Sequence, residues 1–457
     1  MPPDQFQNIR RLIWLYFGLL IFEGVLRKWV VPSLSSVLLL ARDPVVIAIY
    51  ALALRQGIFP LNRAVASLGV LCLGMFAAAL FASHGSHIVT LYGLRANFLH
   101  LPLIFIMAQV LTRDDVERFG KAVLVLAVPM TMLMVAQFRA GPDAFINATA
   151  GGGEGEQLRG AMGKIRPPGF FSFITGAAQF LTLLSAFVFY GLLNRRFISP
   201  WLLNGAAFAL VVALAVSTSR LAVGSVAFVA AGLVVICCMD RRLIKQTARA
   251  FVVMAVLIVA ASAFSYFREG MEVFEVRANE TGDTELGVKG ASQGLVTRWF
   301  GDISGGLDLV ATAPLLGWGV GLGTNVGAQF TTGSLGFLLA EGEWSRVILE
   351  AGPILGLGYL GFRVAIAGWL FLLGLRAARE GQPLPLLLTG ASGLLWITGQ
   401  FGQTTTLGFA VFGAGLALAA LRAPENDDED EDADEDEPSA EATRPEFVPA
   451  SGGRMEW

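Results

Sequence analysis

The 457-residue chain is 54% hydrophobic and only 15% charged, with a mean hydropathy of +0.62. A soluble domain needs more polar surface than this, so an all-α, polytopic integral membrane protein is expected; a lipid-facing β-barrel is excluded because the apolar residues come in unbroken runs. The formal charge of −3 hides a division: residues 423–457 hold 14 Asp or Glu against 2 Arg, whereas residues 1–422 hold 31 Lys or Arg against 22 Asp or Glu, a net of +9.

Apolar blocks are read at 12–26, 34–54, 64–82, 98–111, 122–138, 170–190, 201–217, 221–239, 250–266, 346–375, 385–401 and 406–421. They predict about 12 transmembrane helices in a membrane domain over 1–422, with a large loop at 267–345 between spans 9 and 10. The tail at 423–457 is self-repelling and is expected to be disordered. No cleavable signal follows Arg10-Arg11. Cys72, Cys237 and Cys238 lie in or beside apolar runs without metal-site spacing, and no metal or nucleic-acid partner is expected.

With a cytoplasmic N-terminus, sixteen Lys or Arg fall in inner loops and eight in short outer loops. The bias puts both termini inside and the 267–345 loop outside. Basic residues kept on the outer face against that bias point to an anionic ligand there. Glu23, the pair Arg42-Asp43 and Arg363 lie within spans, where charge is tolerated mainly when paired or facing a cavity. Adjacent helical residues point about 100° apart, so Arg42 and Asp43 cannot simply neutralise each other.

The outer loop at 139–169 has a glycine-rich centre, Thr149 to Gly155, and closes with Lys164-Ile165-Arg166-Pro167-Pro168-Gly169-Phe170-Phe171-Ser172. Pro168 is expected in the first turn of the next helix, fixing Arg166 at the outer mouth. Ser217-Thr218-Ser219-Arg220 reads as a tight reversal whose hydroxyls cap the next helix, leaving Arg220 at a helix N-terminus that favours an anion.

The late polar stretch, Arg268 to Glu350, carries Pro314-Leu315-Leu316-Gly317-Trp318-Gly319-Val320-Gly321-Leu322-Gly323, then Glu341-Gly342-Glu343-Trp344-Ser345-Arg346 and Leu349-Glu350-Ala351-Gly352. The glycine run does not fit a dinucleotide loop and reads as a tightly turned re-entrant piece. A helix starting near Trp344 lets Arg346 pair with Glu350 one turn later, leaving Glu343 the freer carboxylate. Glu341 and Glu343 are the candidate bases for a hydroxyl. Trp299, Trp318 and Trp344 suit either an interface or a sugar face.

The order and spacing of Arg166 before Pro-Pro-Gly-Phe-Phe, the Ser217–Arg220 turn, Arg298-Trp299, the Gly317 to Gly321 segment and Leu349-Glu350-x-Gly352 resemble the O-antigen ligase and O-antigen polymerase superfamily over roughly 160–375. The resemblance implies a GT-C-like glycosyltransferase at the periplasmic face of the bacterial inner membrane. Its donor and acceptor would be undecaprenyl-diphosphate-linked glycans, with other polysaccharide assembly proteins as partners and no cofactor. Arg166, Arg220 and Arg298 would hold the donor diphosphate, Arg346 joining them. Arg220, Arg298 and Glu343 would carry catalysis, and Glu350, Glu341, Trp318 and Trp344 a structural or acceptor-side role. Guanidinium forks can stabilise a leaving diphosphate without a metal.

Ligase members of that superfamily commonly place a histidine shortly before Glu-x-Gly, where this chain has Glu343-Trp344-Ser345-Arg346; its histidines are His84, His87 and His100. The expectation is therefore a polymerase of exopolysaccharide, capsule or O-antigen repeat units, with O-antigen ligase as the alternative. A flippase or transporter is the alternative from another class; no internal repeat supports it.

Overall fold

A computed structural model describes residues 5–81, 86–151, 160–280, 291–333 and 338–422, without the side chains of 277–280, 291–299 and 325. The acidic tail, Gly152 to Gly155, His84 and the side chains of Arg298 and Trp299 thus lie outside the described residues. Among the described residues the fold is all-helical. In chain order the helices are α1 Gln7–Val25, α2 Ser35–Leu38, α3 Arg42–Arg55, α4 Arg63–Leu80, α5 His87–Leu94, α6 Leu103–Val110, α7 Arg113–Arg139, α8 Ile174–Leu193 and α9 Pro200–Ser217. Then come α10 Arg220–Met239, α11 Ile244–Ala261, α12 Ser265–Glu280, α13 Ala291–Asp308, α14 Asn325–Thr332, α15 Glu343–Arg379, α16 Leu384–Thr398 and α17 Thr404–Ala419. Two π-helical turns, Leu26–Val30 and Arg95–Leu99, follow α1 and α5.

Among the described residues each of the twelve apolar blocks is largely helical. Nine helical segments among the described residues are long and apolar enough to cross a membrane. The other three blocks are α1, which carries Arg10, Arg11 and Glu23, and the 15- and 16-residue α16 and α17. The architecture is that of an all-helical polytopic membrane protein.

Helix α8 has no charged residue and is apolar all round, the pattern of a helix surrounded by others. It is buried along its whole span and packs against α7, α9, α10, α16 and α17. At the rim, α4 and α11 leave Val70, Leu73, Val252 and Val259 exposed along their outward faces, as contact with lipid requires. The late loop is structured in part by three helices: α12 packs on α9, α13 on α15 and α10, and α14 on α5.

Pro168 does not open α8. Gly169 takes a left-handed conformation (φ 58°) and its N–H donates to Gln137 Oε1 at 2.8 Å, so the chain turns there and the helix begins only at Ile174. The Arg166–Ser172 segment is held instead by its neighbours. Gly24 of α1 lies against Phe170 and Phe171 so closely that a Cβ would meet the Phe170 carbonyl oxygen at 2.4 Å, and Lys28 Nζ donates to Gly169 O at 2.6 Å.

Helix α15 breaks at Gly352 (φ 78°, ψ 169°), just before Pro353. Proline has no N–H, so the Leu349 carbonyl loses its helical donor, and the break strands the Glu350 carbonyl as well. Trp318 N donates to Leu349 O at 2.8 Å and Gly319 N to Glu350 O at 3.0 Å, so the glycine segment supplies both missing donors. The fit leaves no room for side chains: a Cβ on Gly317 (φ 69°) would meet Glu350 O at 2.3 Å, and one on Gly352 would meet Leu315 O at 2.1 Å. On its other side Gly321 presses on α5, where a Cβ would meet Val89 O at 2.2 Å.

Gly317→Ala should therefore lower the apparent melting temperature of the detergent-purified protein by several degrees, as a strained backbone costing about 1–3 kcal/mol before any clash would. Gly361→Ala is the control, since nothing lies within 4 Å of its added methyl. Equal melting of the two variants would contradict this packing.

Candidate functional site

Helix α15 begins at Glu343 under a cap that another helix provides. Gly342 has no side chain to cap with, and Asp302 of α13 accepts a hydrogen bond from Trp344 N at 3.3 Å. The approach needs Gly342, whose added Cβ would meet Asp302 Oδ1 at 2.1 Å, and Gly306, whose added Cβ would meet that of Trp344 at 2.6 Å. Asp302 stands outside the spans and is half-buried; burial first, and then the negative charge of Glu343, push its carboxyl pKa up. Arg298 lies one helical turn before Asp302 on α13.

Behind this cap runs a closed ionic network. Arg346 makes a fork to Glu343 (Nε to Oε2 2.9 Å, Nη2 to Oε1 3.0 Å), and its Nη1 donates to Glu350 at 2.6 Å. Its Nη2 also donates to Asn97 Oδ1 at 3.1 Å. Arg363 donates to the same Glu343 carboxylate and to the carbonyls of Leu395, Trp396 and Gly399, its guanidinium stacked 3.7 Å from the Phe401 ring centroid. Phe401 N adds a further bond to Glu343 at 3.2 Å, and Gly323 N donates to Glu350 Oε1 at 2.8 Å. Glu343 is 1% exposed, Arg346 4%, Glu350 2% and Arg363 0%.

The Arg346–Glu350 pair is formed as the spacing predicted. The expectation that Glu343 is the freer group is corrected: two guanidiniums and a backbone N–H saturate it, and it is as buried as Glu350. Glu341 is exposed, with its carbonyl accepting from Gln400 Nε2. Trp318 is 44% exposed above the α15 break, and Trp344 Nε1 donates to Ile397 O at 2.9 Å, anchoring α15 to α16.

The Ser217–Arg220 turn is as tight as expected. Thr218 takes a left-handed conformation (φ 47°), Ser217 Oγ accepts from Ser219 N at 3.3 Å, and Ser219 Oγ caps α10 through Ala222 N at 3.3 Å, so Arg220 is the first residue of the helix. Arg220 and Arg166 are both half-buried. Two residues before Arg166, Lys164 Nζ pairs with Glu269 of α12 at 3.1 Å. Helix α12 in turn sits on the end of α9, where a Cβ on Gly270 would meet Ala215 O at 2.7 Å.

A second charged cluster joins α1, α3 and the Arg95–Leu99 turn. Arg95 forks onto Asp43 at 2.7 Å through both nitrogens, His100 Nε2 lies 2.9 Å from the same carboxylate, and Arg42 pairs with Glu23 at 3.4 Å. Arg42 and Asp43 thus each bond other helices, as their divergence on α3 required. The sequence reading counted Arg27 and Arg95 among the basic residues of the outer face but missed their pairing with Glu23 and Asp43, and it missed Asp302 and Asn97. Only their being charged or amide groups beside apolar blocks could have signalled them.

Compared with known proteins, the chain matches no protein-family model and no curated protein sequence.

Removing one partner of a buried ion pair strands the other, at a cost of about 3–5 kcal/mol. Glu343→Gln should therefore cut membrane accumulation and thermal stability at least as much as Glu350→Gln, while Glu341→Gln melts like the wild type. Wild-type stability in Glu343→Gln would contradict a closed network.

Proposed function

We propose that the protein is a membrane glycosyltransferase that polymerises undecaprenyl-diphosphate-linked oligosaccharide repeat units at the periplasmic face. One observation carries this reading: α13, the helix that bears Arg298, packs on α10, which begins at Arg220, and over the start of α15. The segment holding Arg166 is tied to the same part of the bundle through Lys164 and α12. Arginines far apart in sequence thus stand on elements that touch, the arrangement a diphosphate clamp needs.

In the proposed reaction the acceptor hydroxyl oxygen attacks the donor's anomeric carbon, and the bond from that carbon to the diphosphate oxygen breaks. The electron pair leaves with undecaprenyl diphosphate, whose charge the guanidiniums of Arg166, Arg220 and Arg298 stabilise. The hydroxyl proton passes to a carboxylate. Asp302 takes that role in place of Glu343, because it is half-open and its raised pKa makes it a stronger base, whereas every acceptor of Glu343 is occupied. Arg346, held by Glu343 and Glu350, supports the start of α15 rather than the donor. The missing histidine before Glu350 continues to favour polymerase over ligase.

A strain lacking the gene should accumulate single lipid-linked repeat units, and Arg220→Ala should fail to restore polymer although the protein reaches the membrane. Arg220→Lys should restore little, since it keeps charge but loses the fork. Full restoration by Arg220→Ala would refute the clamp.

Asp302→Asn keeps a capping oxygen, so the protein should fold yet turn over at least about tenfold more slowly, within the range of general base catalysis. The wild-type rate should fall as pH drops through the pKa of Asp302, which burial and Glu343 raise above its ordinary value, and that limb should vanish in Asp302→Asn. An unchanged pH profile would remove Asp302 from the reaction.

Orientation is tested by single cysteines in a cysteine-free background. Leu315→Cys should react with an impermeant thiol reagent in spheroplasts and Leu61→Cys only after lysis; both parent residues are exposed, at 65% and 88%. The reverse pattern would invert the topology.

A further inference from the structure

The cluster around Asp43 is not electrically closed. Arg27, Arg42 and Arg95 bring three guanidiniums against the two carboxylates of Glu23 and Asp43, and His100 is shared between Asp43 and Tyr16 Oη. Contrast the α15 network, where Arg346 and Arg363 meet Glu343 and Glu350 one for one. A surplus cation in a membrane-embedded, mostly buried setting is costly unless an anion completes it.

The donors left over are identifiable. Arg42 Nη1 and Arg95 Nη1 are buried without an acceptor among the described residues. Arg27 and Arg95 both grip α2 or the residue that closes it, Arg27 Nε through Ser35 O at 3.0 Å and Arg95 Nη2 through Leu39 O at 3.4 Å, four residues apart. Both guanidiniums thus meet the same short stretch, and their side chains keep 14% and 12% exposure while Arg42, which shares Glu23 with Arg27, is 1% exposed. Both project from π-helical turns, a local distortion found often at functional sites. Lys28 is not part of the cluster: its ammonium is committed to Gly169 O.

We propose that Arg27 and Arg95, with Arg42 supplying charge from behind, form a second anion site that takes the diphosphate of the lipid-linked acceptor. This rests on the polymerase reading. Two lipid-linked substrates then meet, each with a diphosphate, but only the donor's is displaced; the acceptor's stays intact and needs a resting place apart from the donor clamp. Arg27 Nη1 reaches Ser172 Oγ at 3.3 Å, six residues after Arg166, so the two sites flank one segment. Guanidinium forks suit diphosphate oxygens. The phosphate of an anionic phospholipid offers related chemistry, and the test separates the two.

The probe is geranylgeranyl diphosphate, titrated against the purified full-length protein in phosphatidylcholine nanodiscs. Wild type should bind two molecules. Arg27→Gln, which leaves the Glu23–Arg42 and Asp43–Arg95 pairs in place, should weaken one site about tenfold or more, equivalent to roughly 1.4 kcal/mol. Arg220→Ala should weaken the other. Arg95→Gln should act like Arg27→Gln, but a fall in its stability would leave the decision to Arg27→Gln.

Two unaltered sites in Arg27→Gln, or a single site in wild type that Arg220→Ala removes, would overturn the proposal. So would occupation of the Arg27 site by phosphatidylglycerol in preference to the diphosphate. Turnover of lipid-linked repeat units by the same wild-type preparation separates the two claims: two diphosphate sites without polymer formation would refute the polymerase assignment while leaving the second anion site standing.

Discussion

The break in α15 is the constraint on which this end of the molecule depends. Within a bilayer a carbonyl without a donor costs several kcal/mol, and Gly352-Pro353 strands two of them, at Leu349 and Glu350. The N–H groups of Trp318 and Gly319 are donors supplied to them from outside the helix, so the glycine segment lodges against α15 where the helix bends. A methyl group at Gly317, Gly321 or Gly352 would collide with backbone, so the segment lies in direct backbone contact with α15 on one side and α5 on the other. The late loop is thereby riveted to the bundle, and α13 and α14 are carried into place on either side of it.

Charge does the next part of the work. Glu343 joins Arg346 of its own helix to Arg363 five turns further on, and the Arg363 side chain collects the last carbonyls of α16. The two halves of α15 are clamped to each other and to α16. A single π-helical turn then links this network to the cluster on α1 and α3: Asn97 faces Arg346, and Arg95, two residues earlier, holds Asp43. The first network is saturated and suits a structural role. The second carries a surplus of positive charge and suits a ligand. That difference, and not proximity in sequence, is what separates the closed network from the anion site proposed above.

Local features were legible in the sequence. Uninterrupted apolar runs marked the helices of the bundle but not α5 or α12 to α14, which lie largely in stretches read as loop; the four-residue spacing gave the Arg346–Glu350 pair, and Ser219 showed as a cap. The limits were tertiary. Nothing between Glu343 and Arg363 indicates that their side chains converge, so Glu343 read as free when two guanidiniums and a backbone N–H bond it. Asp302 looked like one charge among several in a polar loop, and only the approach of α13 to Gly342 reveals it as the cap of α15. Pro168 failed as a helix start because Gly169 turns left-handed and is claimed by Gln137, a residue of a different helix. The glycine segment and Leu349-Glu350-x-Gly352 stood in the sequence as two motifs; as one hydrogen-bonded unit they are a property of the fold.

The most direct test of the proposed arginine-driven glycosyl transfer at this end of the bundle uses purified protein, lipid-linked single repeat units and a chelator of divalent cations. Product length would be read by mass spectrometry. Lipid-linked oligomers of two or more units should appear, with one free undecaprenyl diphosphate released for each new linkage and no dependence on added metal. Substrate that returns unchanged, or is consumed only when a divalent cation is restored, would contradict it.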